Sequence, residues 1–264
     1  MSDALDVTVD DGIALIRLTA QPLGVLNTSA KEAFRELIAG LALDTRLRAA
    51  IVTGTGTAFS VGSDIREFRQ ERDWLSSAAH LEQDLWTAIE EAPFPTIAAC
   101  NGTTLGGGAE LAIACDIRIA AESARFGFPE VAVGTFASAG GTQRLPQHVG
   151  AGNAKRLLLT GEIITAHEAL RIGLVQAVVP DADLQSQART LAHDLTLRSP
   201  TALAATKNAV NTGLRHGRND GHAAEDRLSV DVGLTDDAAE GQRAFREKRQ
   251  ARFGPRMARW VSGR

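Results

Sequence analysis

The chain of 264 residues has no tyrosine, two cysteines and no uninterrupted apolar run long enough to cross a bilayer. Each shortage removes a class of protein. Without a phenol, any mechanism that depends on tyrosine is excluded. Cys100 and Cys115 lie in apolar surroundings without a CxxC spacing, which argues against a disulfide framework or a thiolate metal site and leaves buried free thiols. The six histidines are scattered and no HExxH occurs, so no metal is expected. No GK[ST] is present either, which disfavours a P-loop. Basic residues are dispersed and the formal net charge is −4, so the electrostatic footprint of a nucleic-acid partner is missing. The acidic start "MSDALDVTVDDG" lacks the features of a signal peptide, and a cytoplasmic protein without a membrane partner is expected.

What is present is an ordinary globular balance, 44% apolar and 23% charged, enough for one large domain or a domain with a smaller appendage. "DVTVDDGIALIRLT" alternates around Asp11-Gly12 and reads as a β-hairpin with a mostly buried second strand. In "NTSAKEAFRELIAGLALD", Ser29 and Glu32 have capping-box spacing ahead of Phe34, Leu37, Ile38 and Leu41 at helical period. "RAAIVTG" is a short buried strand, and the Gly/Thr-rich "GTGTAFSVGSD" after it reads as loop. Helical "IREFRQ" and "WLSSAAHLEQDLWTAIEEA" lead to the strand "TIAACNG", a triple-glycine turn, a helix from near Gly107 and the strand "DIRIAA". This alternation predicts an α/β core with largely parallel pairing. Beyond Gly140 the pattern is helical, with one strand at "GLVQAVV" and helix starts at Thr165 and Ser199-Pro200. After about residue 200 only helices are expected.

Three stretches carry residues fit for chemistry. In "NGTTLGGGAEL" the glycines permit a tight turn and close backbone approach, and the helix that follows offers unpaired N–H groups, a natural oxyanion hole. Glu110 heads into the apolar run behind it, where a charged carboxylate is costly unless hydrogen-bonded or protonated. Close packing and a helix-start carboxylate explain this stretch equally well when it is taken alone. "GTGTAFSVGSDI" also follows a strand end and offers a second N–H donor, and loops from two parallel strands can converge on one crevice. "ARFGFPEVAVGTFASAGGTQRL" sets Glu130 in apolar surroundings; singly it is a turn residue, but two such carboxylates in one site make an acid and a base. Ser138 in "FASAG" lacks the first glycine of G-x-S-x-G, and the lysines of "NTSAK" and "ATKNAV" have no nucleophile context. The basic "RAFREKRQARFGPRMAR" reads as a solvated helix face or as a surface toward an anionic ligand.

Together these segments resemble the enoyl-CoA hydratase/isomerase (crotonase) family, in the right order over nearly the whole chain. "QPLGVLN" is similar to the family's first ligand loop, "GTGTAFSVGSDIREF" and "NGTTLGGGAELAIACDIRIA" to its two oxyanion-hole loops, and "FGFPEVAVGTFASAGGTQRL" to its second acid segment. "LLLTGEIITAHEALRIGLVQAVVP" and "EGQRAFREKRQARF" match as well. The resemblance implies an α/β fold with a repeated ββα spiral core holding the CoA and acyl site over residues 1–199. It implies a helical C-terminal trimerisation region over 200–264, giving a homotrimer or a dimer of trimers. The implied substrate is an acyl-CoA thioester, with coenzyme A part of the substrate and no separate cofactor. The implied reaction is hydration of an enoyl-CoA across its 2,3 double bond. The N–H groups of Ser63 and Gly107 would hold the thioester oxygen, and Glu110 and Glu130 would be the two acids.

Val25, Val61, Asp64, Ile65, Gly106 and Ser138 would contact substrate, while Phe245 and Lys248 match residues that reach the adenine and phosphate end of CoA, commonly on a neighbouring subunit. Phe68, Trp74, Trp86 and Phe128 are candidates for the acyl pocket or for ordinary core. Two departures stand out: Ala137-Ser138 replaces the Pro-Gly pair usual in the hydratases, and Leu23-Gly24 stands where a basic residue often meets CoA phosphate. An isomerase or other acyl-CoA lyase of the same fold, and a non-catalytic CoA-binding or assembly protein, are the alternatives. Both acids and both glycine loops speak for catalysis; the altered Ala137-Ser138 segment speaks for the non-catalytic reading.

Overall fold

The computed structural model describes residues 4–20 and 23–257; Met1 to Asp3 of the acidic start, Gln21 and Pro22 of the first ligand loop, and Ala258 and Arg259 of the basic segment lie outside them. Asp11 and Gly12, with φ of 46° and 76°, turn β1 (Leu5–Asp10) antiparallel onto β2 (Ile13–Leu18), the hairpin that Asp-Gly predicts. After β3 (Val25–Leu26), α1 (Thr28–Leu43) is capped by Asn27 and not at Ser29: the Asn27 side chain accepts from the Ala30 amide at 2.8 Å. Asparagine caps as well as serine does, and capping there lets the helix start earlier.

The chain continues through β4 (Ala49–Gly54), β5 (Ala58–Ser60), β6 (Gly62–Ser63), α2 (Arg72–Glu90), β7 (Thr96–Cys100), β8 (Thr103–Leu105) and α3 (Gly107–Ala114). Next come β9 (Ile117–Ala121), β10 (Arg125–Gly127) and α4 (Gly141–Thr160), then β11 (Ile163–Thr165), α5 (Ala166–Arg171), β12 (Ala177–Val179) and α6 (Leu184–Thr196). It closes on three helices, α7 (Pro200–His216), α8 (Arg218–Gly233) and α9 (Asp236–Glu247). Thr165 and Ser199 cap α5 and α7 with their side chains, as their positions predict.

Several stretches differ from the sequence reading for local reasons. "GTGTAFSVGSD" is not all loop, because β5 finds a parallel partner in β8 and β6 finds one in β3. "IREFRQ" keeps only a single 3-10 turn at Ile65–Glu67. The strand expected over 173–179 shrinks to β12, because the amides of Gly173, Leu174 and Val175 bond back to the carbonyls of Leu170 and Ala169 and close the end of α5.

The repeat is visible in the pairing. β4, β7 and β9 enter a six-stranded sheet ordered β1-β2-β4-β7-β9-β12, and β5, β8 and β10 after them enter a second sheet ordered β11-β10-β8-β5. A helix follows each pair, which is the ββα turn of a spiral. From β2 to β12 the large sheet is parallel throughout. Its central strands β4 and β7 are buried at every residue, as a doubly covered parallel sheet requires. Leu15, Ile51, Ile97 and Ile119 pack on Leu184, Ala188 and Ala192 of α6, while Ile16, Val52, Ala98 and Ala120 face the main core. α7 is tied to this body by Lys207, half-buried against Asp116 at 2.7 Å and donating to the Ile89 and Phe94 carbonyls. Cys100 and Cys115 are free and buried, and burial pushes both thiols up to about 12.

α3 sits at the centre, buried at every residue after Gly107. Its carboxyl end needs partners, since the last carbonyls of a helix have none within it. The buried Arg118 guanidinium donates to the Cys115 carbonyl at 2.6 Å and to the Leu174 carbonyl at 2.7 Å. His148 Nε2 stands 3.1 Å from the Ile113 carbonyl, and burial, helped by the Arg118 charge, lowers the imidazole to about 4, so it donates there as a neutral ring. Replacing Arg118 with Met strands two buried carbonyls, and urea unfolding is expected to show a loss of about 2–4 kcal/mol. An unchanged midpoint would show that α3 does not rest on this clamp.

Candidate active site

The two glycine loops meet at their backbones. Gly62 has φ 86°, and a Cβ built on it would stand 2.5 Å from the Gly107 nitrogen, so no other residue fits that approach. A Cβ built on Gly107 would stand 3.6 Å from the Ser63 nitrogen and 3.4 Å from its Oγ, which puts the Ser63 and Gly107 amides side by side. The Ser63 loop is fixed from below: Ser60 Oγ donates to the Gly24 carbonyl at 2.7 Å and accepts from the Gly62 amide at 3.0 Å. The Val61 and Asp64 amides donate to the Leu23 and Leu26 carbonyls, so the first ligand loop runs alongside, with Val25 opposite Gly62. Asn101 holds the same loop at its start, accepting from the Gly54 amide and donating to the Gly56 and Ala58 carbonyls.

Glu110, in the first turn of α3, is 3% exposed, and its Oε1 accepts from the amides of Ala139 at 3.0 Å and Gly141 at 2.8 Å. A Cβ on Gly141 would come 2.8 Å from that oxygen, so the second contact depends on glycine. Burial raises the Glu110 carboxyl to about 8; the Gly141 amide pulls it back, and the charges of Glu130 and Glu82 push it further up. Glu130 lies in the 3-10 turn Pro129–Val133, beside Gly106, where a Cβ would be 3.6 Å from its Oε1. Both Glu130 oxygens are buried and neither has a hydrogen-bond partner among the described residues. Burial raises this carboxyl too, with Glu82 adding to the shift. The nineteen residues between the acids are folded away, and the Glu130 charge is felt at Glu110.

Both acids line one cavity of about 610 Å³, together with Ser63, Gly107, Val61, Asp64, Ile65, Gly106 and Ser138. Val25 supports its wall without lining it, and Phe245 and Lys248 lie at the end of α9, outside the cavity of their own chain; Phe245 is 85% exposed. Phe68 and Trp74 line it and meet edge-on at 5.3 Å between ring centres, whereas Trp86 and Phe128 are core. Among the lining residues that sequence reasoning missed are Lys31 of α1 and Glu82 of α2. They form an ion pair, and both bond to Ser63 Oγ. A signal was available: Lys31 precedes Phe34 and Ile38 by three and seven residues, and Glu82 precedes Leu85, Trp86 and Ile89 by three, four and seven, so each charge sits on the apolar stripe of its helix.

The spiral with its paired amide loops is the crotonase fold, and it is shared with a solved enoyl-CoA hydratase of Bacillus anthracis at TM-score 0.91 and 34% identity, covering 95% of this chain and 98% of that one. The family model described as enoyl-CoA hydratase/isomerase matches residues 8–256. YngF of Bacillus subtilis is 39% identical over 255 residues, 95% of this chain and 98% of YngF. The short-chain-enoyl-CoA hydratase of Clostridium acetobutylicum is 38% identical over 231 residues, 86% of this chain and 88% of that enzyme. The chain belongs to the enoyl-CoA hydratase/isomerase family.

Glu110 makes stability depend on pH with a fixed sign. Folded, it binds its proton below about 8, whereas its ordinary value is 4.5, so between these values the folded state holds the extra proton and stability from this group falls as pH rises. Glu110→Gln carries no such titration. The unfolding free energy of Glu110→Gln minus that of the wild type is therefore expected to grow between about pH 5 and pH 8, by at most about 1.4 kcal/mol per unit, and to level off above. A difference flat across that range would show that Glu110 is ionised throughout.

Proposed function

We propose that this protein is an enoyl-CoA hydratase that adds water across the 2,3 double bond of an enoyl-CoA thioester. The observation that carries the reading is the pair of buried carboxylates, Glu110 and Glu130, lining one cavity with the adjacent amides of Ser63 and Gly107. Relatives named as hydratases, at 38% identity, support it.

The chemistry follows from those groups. Attack of water on the β-carbon moves an electron pair toward the thioester oxygen, and two N–H donors aimed there lower the barrier where the charge grows. The α3 dipole, with Gly107 at its positive end, acts in the same direction. The acids share the proton work as a coupled pair: the ionised one takes a proton from the water as its oxygen bonds to the β-carbon, and the protonated one delivers a proton to the α-carbon. Raised carboxyls keep one proton on the pair near neutral pH, which this step requires. Coenzyme A enters as part of the substrate, and these residues with water complete the reaction. An isomerase needs one carboxylate to shuttle a proton between carbons; two in one cavity favour hydration.

A homotrimer or dimer of trimers belongs to the same proposal. Val210, Leu214, Val230, Leu234 and Phe245 are exposed on α7 to α9, an apolar surface suited to another subunit. Phe245 and Lys248 would then serve a neighbour's CoA site.

Loss of conjugated absorbance is the test, with crotonyl-CoA and longer trans-2-enoyl-CoAs offered to the wild type, Glu110→Gln and Glu130→Gln. The wild type is expected to hydrate at least one of them, and each variant to lose roughly 10²–10⁴-fold in kcat. Full activity in both variants, or none in the wild type across the panel, overturns the proposal; isomerisation lost in only one variant points to the isomerase.

A further inference from the structure

Lys31 and Glu82 project from two helices into the reaction cavity and grip the side chain of one oxyanion-hole residue. Lys31 Nζ donates to Ser63 Oγ at 3.0 Å, Ser63 Oγ donates to Glu82 Oε1, and the same oxygen accepts from Lys31 Nζ. The side chains of Lys31 and Glu82 are 8% and 14% exposed. A buried ion pair adds little stability over an apolar pair of the same size, so its place beside the reacting atoms bears on chemistry before stability.

The charges explain why the two must come together. Glu82 ties down Ser63 and helps keep a proton on the Glu110–Glu130 pair. Alone, however, its carboxylate would stand one hydrogen bond from the residue whose amide receives a developing oxyanion, and like charges at that range in a dry cavity oppose each other strongly. Lys31 cancels that charge on the side facing Ser63. Building on the oxyanion-hole reading above, we propose that Lys31 and Glu82 are positioning residues that set the geometry and the local charge of the Ser63 amide. Lys31 is the member that enolate stabilisation requires.

The two halves of the pair therefore act with opposite sign. Removing Lys31 leaves the carboxylate uncompensated and weakens the hole; removing the Glu82 charge leaves the ammonium and strengthens it. A structural brace would weaken the hole whichever half were lost.

The probe is acetoacetyl-CoA, a β-ketothioester whose bound enolate has its own ultraviolet absorbance, so the measurement does not depend on turnover. Lys31→Met is expected to lower the ratio of enolate to keto form of the bound ligand roughly tenfold to a hundredfold relative to the wild type. Glu82→Gln, nearly isosteric and still able to accept from Ser63, is expected to raise the ratio severalfold. Lys31→Met/Glu82→Gln, with no net charge, is expected to return to within about threefold of the wild type, and kcat for hydration is expected to fall in Lys31→Met with KM little changed. Both single variants moving the same way, or neither moving, overturns the inference while leaving the hydratase reading intact. A wild type that binds acetoacetyl-CoA without any enolate overturns the oxyanion hole itself.

Discussion

The rest of the site depends on how a single carboxylate, Glu110, is buried. It enters the core with two backbone amides on one oxygen, those of Ala139 and Gly141, and that is too little to offset the lost hydration of a full charge. The group is consequently poised between its protonated and ionised forms near neutral pH. Satisfying even those two bonds fixes the start of α4 against the start of α3 and demands a residue without a side chain at Gly141. The arrangement holds only while α3 keeps its place, and Arg118 and His148 bond to the Cys115 and Ile113 carbonyls at its far end.

α3 joins packing to chemistry in eight residues. Its amino end meets the Ser63 loop at Gly62, its first turn carries Glu110, and its other faces are core. Such a floor is rigid. The rim is made differently: Ile65, Phe68, Val133 and Phe136 line the same cavity yet are 54–71% exposed. On the proposed reading, the reacting carbons lie against buried, fixed groups, while the tail of the acyl chain meets side chains free to adjust. On that same reading, reaction type and chain length are set by different parts of the fold.

How legible this was in the sequence varied with the physics involved. The Asp-Gly hairpin, the Ser199-Pro200 helix start and the buried parallel strands follow from local rules, and local rules hold wherever no distant partner competes. β5, β6 and β8 escaped because two- and three-residue strands carry no period; they exist only because each finds a neighbour from another turn of the spiral. The acids and glycine loops were readable because a carboxylate in an apolar run and clustered glycines are costly unless used. Lys31 and Glu82 have the same kind of cost, a charge on an apolar stripe, but it shows only when each is placed on its helical face. Their meeting at Ser63, across 32 and 19 residues, belongs to tertiary structure alone.

The Ala137-Ser138 segment bears on whether the site is competent. Where the hydratases that the chain resembles usually have Pro-Gly, the question is whether the donors to the acid are kept. They are, because the donors at this place are backbone groups of the residues that follow: the amides of Ala139 and Gly141 reach Glu110. The Ser138 carbonyl accepts from Gln83 Nε2 at 2.8 Å, which anchors the segment to α2, and Ala137 is buried. The substitution therefore changes what a side chain presents to the cavity at Ser138, while the turn that seats Glu110 keeps its bonds. A chain released from catalysis has no physical reason to keep in one cavity a buried acid and a second acid whose oxygens have no partner among the described residues, since both cost stability. Their presence together weighs against the non-catalytic reading more than Ala137-Ser138 weighs for it.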